Sequence, residues 1–136
     1  MTRFLLDSNA VTDLLSRRSP LVERVEEARQ QGSQIGTCEP VVAELLFGLE
    51  LSSKPQENIA HLMRGLARLR VWPFDRPASK EYGRIAADLR RRGRPMQVID
   101  MMLAAVAFAQ QNCVVVTTDS DLSAVAGLAV VNWMKV

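Results

Sequence analysis

The sequence is poor in the residues from which many small catalytic sites are built. A single His, His61, stands among 136 residues, which sets aside RNA cleavage by paired imidazoles and zinc sites made of several His. Only two Cys, Cys38 and Cys113, are present, with neither metal-ligand spacing nor a disulfide framework, and both read as small buried fillers. No Gly-rich dinucleotide fingerprint and no phosphate-binding P-loop occurs. Long apolar runs are missing as well. The longest, Val98 to Phe108, is interrupted by Asp100 and falls short of a membrane span, and the N-terminus meets Asp7 before a signal-peptide core can form. The expectation is a cytoplasmic protein. Aromatic residues make up 5%, and a net charge of +2 is too small to name a partner.

What is present is 48% hydrophobic and 24% charged residues, with six Pro and seven Gly spread along the chain, a globular composition sufficient for one domain over residues 1–136. Phe4-Leu5-Leu6 reads as a strand buried on both faces, ended by Asp7. Val11, Leu14 and Leu15 fit a short helix broken near Ser19-Pro20, after which Ser19 is expected to cap a second helix with Pro20 in its first turn, ending at Gly32. Gln34 to Thr37 is a weak strand. Pro40 opens a third helix through Leu51, and Pro55 starts a fourth carrying Ile59, Leu62, Met63, Leu66 and Leu69, the two forming a hairpin. Val71-Trp72 and Phe74 suggest a strand, followed by a helix from Pro77 to Arg92 stopped by Gly93. The helix from Val98 to Gln110 is apolar nearly all round and must be buried. Cys113 to Val116 is the clearest strand; a short helix with Leu122 and Val125, a turn at Gly127 and a last strand from Leu128 to Val131 follow. Strands alternating with helices predict an α/β fold with a largely parallel sheet covered on both faces.

Four acids stand out against this pattern. Asp7 and Asp119 each follow an apolar strand, where open α/β sheets place their ligands, while Glu44 and Asp100 interrupt apolar helices. Each has a bland reading by itself: Asp7 as a helix cap, Glu44 as a solvated side chain, Asp100 as a charge favoured by the helix dipole. Their joint occurrence is the signal. If the first and fourth strands are neighbours, the four carboxylates converge in one cleft, where they repel unless a cation is present. Ligation by oxygen alone favours Mg²⁺ or Mn²⁺ over Zn²⁺, and such an ion makes water nucleophilic and offsets charge on a phosphodiester.

Leu6-Asp7-Ser8-Asn9, Val42-Ala43-Glu44-Leu45-Leu46-Phe47-Gly48, Asp100 with Leu103-Ala104-Ala105, Thr117-Thr118-Asp119-Ser120-Asp121 and Asn132-Trp133 occur in this order over the whole chain. Together they resemble the motifs of the PIN-domain ribonucleases, and specifically the VapC toxins of bacterial toxin–antitoxin pairs. The resemblance implies a three-layer α/β/α PIN fold and a Mg²⁺-dependent endoribonuclease that is usually dimeric and silenced by a VapB-type antitoxin. It also implies that Asp7 and Asp100 are the main metal ligands, that Glu44 and Asp119 complete the acidic site, and that Asn9 and Thr117 are polar support. The last acidic position takes Asn or Asp in that family. Both Asp119 and Asp121 are available here, and Asp119, directly after the strand, is the preferred reading.

Lys80, Arg84, Arg90, Arg91, Arg92 and Arg94 crowd the stretch leading into the loop before Asp100. That adjacency predicts that Arg90, Arg91, Arg92 and Arg94 hold an RNA backbone beside the acids. The alternative function is a catalytically silent PIN-like scaffold that only binds RNA or a partner. A phosphorylated receiver domain is excluded by the absence of an acidic pair after the first strand and of a Lys after a late one.

Overall fold

The computed structural model describes residues 1–135. Five short strands, β1 (Arg3–Leu6), β2 (Gln34–Cys38), β3 (Arg70–Trp72), β4 (Cys113–Val116) and β5 (Val130–Val131), form one sheet in the order β3-β2-β1-β4-β5, with every neighbouring pair parallel. Parallel neighbours require crossovers, and the helices supply them: α1 (Ser8–Leu15) and α2 (Leu21–Gln30) between β1 and β2, α3 (Glu39–Glu50) and α4 (Pro55–Leu66) between β2 and β3, α5 (Arg76–Arg91) and α6 (Val98–Gln110) between β3 and β4. The first two crossovers step in one direction along the sheet and the third steps back, so right-handed connections put the helices on opposite faces. The result is the expected three-layer α/β/α arrangement, with the reversal of strand order between β1 and β4.

The centre of the sheet is the centre of the core. Leu5, Leu6 and Val115 are fully buried and Val116 nearly so, and Leu103 to Ala107 of α6 are buried against them. The apolar run of α6 is thus explained as expected, although its first residue, Val98, is 55% exposed where the helix emerges at the sheet edge. Gly36 is required where β2 meets β3: a Cβ there would lie 2.6 Å from the Arg70 carbonyl oxygen and 2.9 Å from the Trp72 ring. Trp133 packs on Phe4, the ring centroids 4.6 Å apart and the planes tilted by 44°. Cys38 and Cys113 are free thiols, both pushed up to about 12 by burial, which makes them inert packing as expected.

Several expectations need correction. Ser19 does not cap α2; its hydroxyl donates to Glu23 Oε1 at 2.6 Å, and Pro20 takes the cap position without a side-chain bond. Leu69 lies beyond α4, in a turn closed by its N–H on the Leu66 carbonyl. Phe74 leaves the sheet after β3 and packs edge-on against Tyr82 at 6.2 Å, while Asp75 caps α5 through the Ala78 N–H. The last strand is only Val130–Val131, because β4 offers partners for just these two residues. The short helix near Leu122 is a 3-10 turn, Ser120–Ala124.

Candidate active site

The strand order reverses between β1 and β4, and beyond the carboxyl ends of these two strands a doubly covered parallel sheet leaves a crevice. Asp7 leaves β1 into it. The residue is only 7% exposed, and both its oxygens are engaged: Oδ1 accepts from the Ala10 N–H at 2.8 Å and so caps α1, while Oδ2 accepts from the Thr117 hydroxyl at 2.6 Å. The bland reading and the functional one are therefore both realised in the same carboxylate. Burial raises the pKa of Asp7, the bonds from Thr117 and Ala10 oppose the rise, and the negative charges of Asp119 and Asp13 add to it.

Thr117, buried at the end of β4, is the joint of the site. Its hydroxyl donates to Asp7 and accepts from the Asp119 N–H at 2.9 Å, so one oxygen sets the spacing between the two strand-end acids. The backbone reinforces it, with the Asp7 N–H on the Val116 carbonyl at 3.1 Å and the Thr117 N–H on the Val131 carbonyl at 3.0 Å. On the other side of β1, the buried Thr37 hydroxyl donates to the Leu6 carbonyl at 2.8 Å, holding the strand directly before Asp7.

α3 and α6 bring the other two acids. Glu44 lies mid-helix in α3 and Asp100 in the first turn of α6, and both line with Asp7 and Asp119 a cavity of about 140 Å³. Asp100 is pushed up to about 6, first by burial and then by Asp119, Glu44, Asp7 and Asp121 in turn. The four carboxylates that add to the effect of burial show that the acids lie close enough to repel one another. Asn9 lines the cavity too, as do Ser8, Gln97, Ile99, Val41 and Leu103, and no Lys, Arg or His does. A larger hollow of about 430 Å³, beside β3, is lined instead by Arg29, Arg68 and Arg70 and by no carboxylate.

Of the residues expected from the sequence, Asp7, Asn9, Glu44, Asp100 and Asp119 meet in this cavity, and Thr117 supports it from behind. Asp121 does not line it. Its carboxylate meets Arg94 at 3.0 Å, and its N–H donates at 2.9 Å to Asp119 Oδ1, which caps the 3-10 turn. The basic run divides in the same way. Arg92 bonds Asp88 at 2.9 Å and the Ala124 carbonyl at 2.7 Å, Arg94 is held by Asp121, and Arg84 pairs with Glu81 and lies over the Phe108 ring. Among the described residues only Arg90 and Arg91 of the expected four have no side-chain partner. Gln97 was not expected, although it directly precedes α6 and so shares a turn with Asp100. Thr37 carries a similar lesson: a hydroxyl at the end of a buried strand must find a partner, and the partner here is the chain segment that carries Asp7.

Among the described residues no three His, Cys, Asp or Glu side chains are arranged to grip an ion by themselves. The donors ring the cavity instead. This suits a hard ion that keeps several waters and takes only one or two protein carboxylates, as Mg²⁺ does. No His or Cys lines the cavity, so the nitrogen and sulfur ligands that zinc sites favour are missing from it.

Comparison with known proteins gives this geometry a family. The family model described as PIN domain matches residues 4–128. The chain is 28% identical over 133 residues to the tRNA(fMet)-specific endonuclease VapC of Shigella flexneri, covering 98% of this chain and 99% of the relative. It is 29% identical over 134 residues to ribonuclease VapC2 of Haemophilus influenzae, covering 98% and 100%. Among solved structures, DNA-bound VapBC from Salmonella typhimurium superposes with a TM-score of 0.88 at 27% identity, covering 98% of this chain and 99% of that one. VapBC2 from Rickettsia felis, bound to a promoter DNA fragment, superposes with a TM-score of 0.89 at 23% identity, covering 97% and 99%. The acidic cavity of this chain thus lies within a segment, residues 4–128, that the PIN domain model matches, and the chain belongs to the PIN domain family.

Proposed function

We propose that this protein is a divalent-metal-dependent endoribonuclease of the VapC type, acting in the cytoplasm as the toxin of a toxin–antitoxin pair. The observation that carries the reading is the cavity of about 140 Å³ lined by Asp7, Glu44, Asp100 and Asp119 and by no cationic side chain. Carboxylates packed in this way hold their negative charge only beside a cation. Asp7 and Asp100 are the residues to hold Mg²⁺ or Mn²⁺, which when bound supplies a more nucleophilic water and offsets charge on the phosphodiester. The protein's own part is positional. Thr117 fixes Asp7 and, through the Asp119 N–H, the loop after β4. Glu44 and Asp119 complete the acidic rim, and Asn9 offers a neutral polar group beside them.

An antitoxin-type protein partner belongs to the same proposal. The α3–α4 hairpin presents Phe47 (69% exposed), Leu51 (75%) and Met63 (52%), apolar side chains available to a partner. A groove between α1, α3 and α4, lined by Leu15, Leu45, Leu49 and Leu62, receives the apolar face of a partner helix, and a basic side chain of that partner neutralises the acids in place of the metal. The family resemblance also implies a homodimer.

The test is cleavage of RNA by the purified protein. Activity is expected to vanish in EDTA and to return with Mg²⁺ or Mn²⁺ but not Ca²⁺, whose looser coordination suits in-line attack poorly. Cleavage that persists in EDTA would remove the metal from the account.

A further inference from the structure

The acidic cavity has a neighbour. A groove of about 460 Å³ lies beside it, with Leu89, Pro95, Met96 and Met101 as its apolar lining and Arg90 and Arg94 among its polar residues. The two hollows meet along one chain segment, residues 96–101. Gln97, Ile99 and Asp100 line the cavity, while Met96 and Met101, on either side of them in the chain, line the groove. The groove is also pinned: Arg94 is held by Asp121 at 3.0 Å, and the Asp121 N–H is held by Asp119 Oδ1 at 2.9 Å, so its edge is tied to an acid of the site. Arg90, by contrast, is exposed and has no side-chain partner among the described residues.

We propose that this groove is a nucleobase subsite, taking the base of a nucleotide that flanks the phosphate placed in the acidic cavity. It rests on the ribonuclease reading above and adds to it where the substrate's bases are held. A nucleotide is the ligand class that offers a flat apolar face and an anionic group one linkage apart, and the two adjoining hollows provide for each in that order. The groove has the volume of a small-ligand site. Met side chains adapt their shape to a planar ring, and an unpaired guanidinium at the rim either stacks on the base or meets the next phosphate. In this arrangement Arg94 is a positioning residue, and Arg90 the one that touches RNA.

The experiment measures binding without cleavage, in EDTA, by fluorescence anisotropy of a labelled decauridylate, with an inorganic polyphosphate chain as the ligand that has charge but no base. Stacking is tolerant of base identity, so uridylate is a fair probe. Met96→Ser, in the loop before α6 and only partly buried against the edge of the core, is expected to leave the urea midpoint of unfolding near wild type, to weaken decauridylate binding about tenfold and to leave polyphosphate binding unchanged. Arg90→Gln, on an exposed helix position, is expected to weaken both. Decauridylate binding by Met96→Ser equal to wild type, or an equal loss for both ligands, overturns the subsite. Wild-type protein that neither binds decauridylate nor cuts RNA overturns the nuclease reading itself, whereas wild-type cleavage together with a silent Met96→Ser removes the subsite alone.

Discussion

Replacing Asp100 by Asn should stabilise the metal-free protein while abolishing cleavage. In the folded chain Asp100 is pushed from 3.8 to about 6 by burial and by the charges of Asp119, Glu44, Asp7 and Asp121. A carboxylate raised by folding binds its proton more tightly in the native state than in the unfolded one. Its ionisation therefore costs stability, and the cost appears as pH rises from 3.8 through about 6 and persists above. At about 1.36 kcal/mol per pH unit the shift corresponds to roughly 3 kcal/mol. Asp100 is only half-buried, and screening by solvent brings this to roughly 1 kcal/mol. Asn keeps the shape and carries no charge at any pH. In urea denaturation with EDTA, Asp100→Asn should be more stable than wild type by roughly 1 kcal/mol near neutral pH, and the advantage should shrink towards zero as the pH is lowered to the ordinary carboxylate range. Adding Mg²⁺ should raise the wild type and leave the variant where it is. A variant less stable than wild type at neutral pH, or an advantage that does not change with pH, would refute the picture of carboxylates crowded without a counter-charge.

Other substitutions separate the roles assigned to neighbouring residues. Thr117→Val removes a buried donor to Asp7 and the acceptor of the Asp119 N–H; it should cost about 1–3 kcal/mol in urea denaturation and lower the cleavage rate. Unchanged cleavage would show that the spacing of the two acids is set elsewhere. Asp121→Asn breaks only an exposed ion pair with Arg94 and should cost less than about 1 kcal/mol with cleavage near wild type, whereas Asp119→Asn should cut cleavage severely; the opposite ranking in an RNA assay would reassign the fourth acid. Gly36→Ala would bring a methyl to 2.6 Å from the Arg70 carbonyl, a backbone atom that cannot turn aside, and should destabilise by about 1–3 kcal/mol, read as a lower urea midpoint.

The frame of this fold was readable from the sequence where apolar runs have abrupt ends. β4 and α6 fall at the expected residues because Cys113 to Val116 and Val98 to Gln110 are bounded by polar residues that cannot enter a doubly covered sheet or a buried helix. The four acids were readable for the same reason, as charges placed where such runs stop or are interrupted. Less was visible where the outcome depends on partners far along the chain. The bond between Thr117 and Asp7 joins residues 110 positions apart, and the pairing of Arg94 with Asp121 joins residues 27 apart; neither follows from local spacing. Asp121 is in that second pair while Asp119 lines the cavity with the other three acids, and together with the bonds of Arg92 the pair reduces a run of four arginines to two without side-chain partners among the described residues. The edges of the sheet were the other weak point. Phe74 and Leu128 have the character of strand residues, but β3 and β5 are edge strands whose length is set by what their single neighbours can pair with.

The central claim, that the four acids form one metal-binding centre, is tested most directly by titrating Mn²⁺ into the metal-free protein and measuring heat and proton release together. A carboxylate that titrates at about 6 must give up its proton as the ion binds, so the wild-type protein should take up Mn²⁺ with proton release near that pH that fades as the pH is raised. Asp100→Asn should lose the proton release and most of the uptake, and Asp7→Asn most of the uptake. Wild-type protein that binds no Mn²⁺, or variants that bind it as the wild type does, would contradict the account.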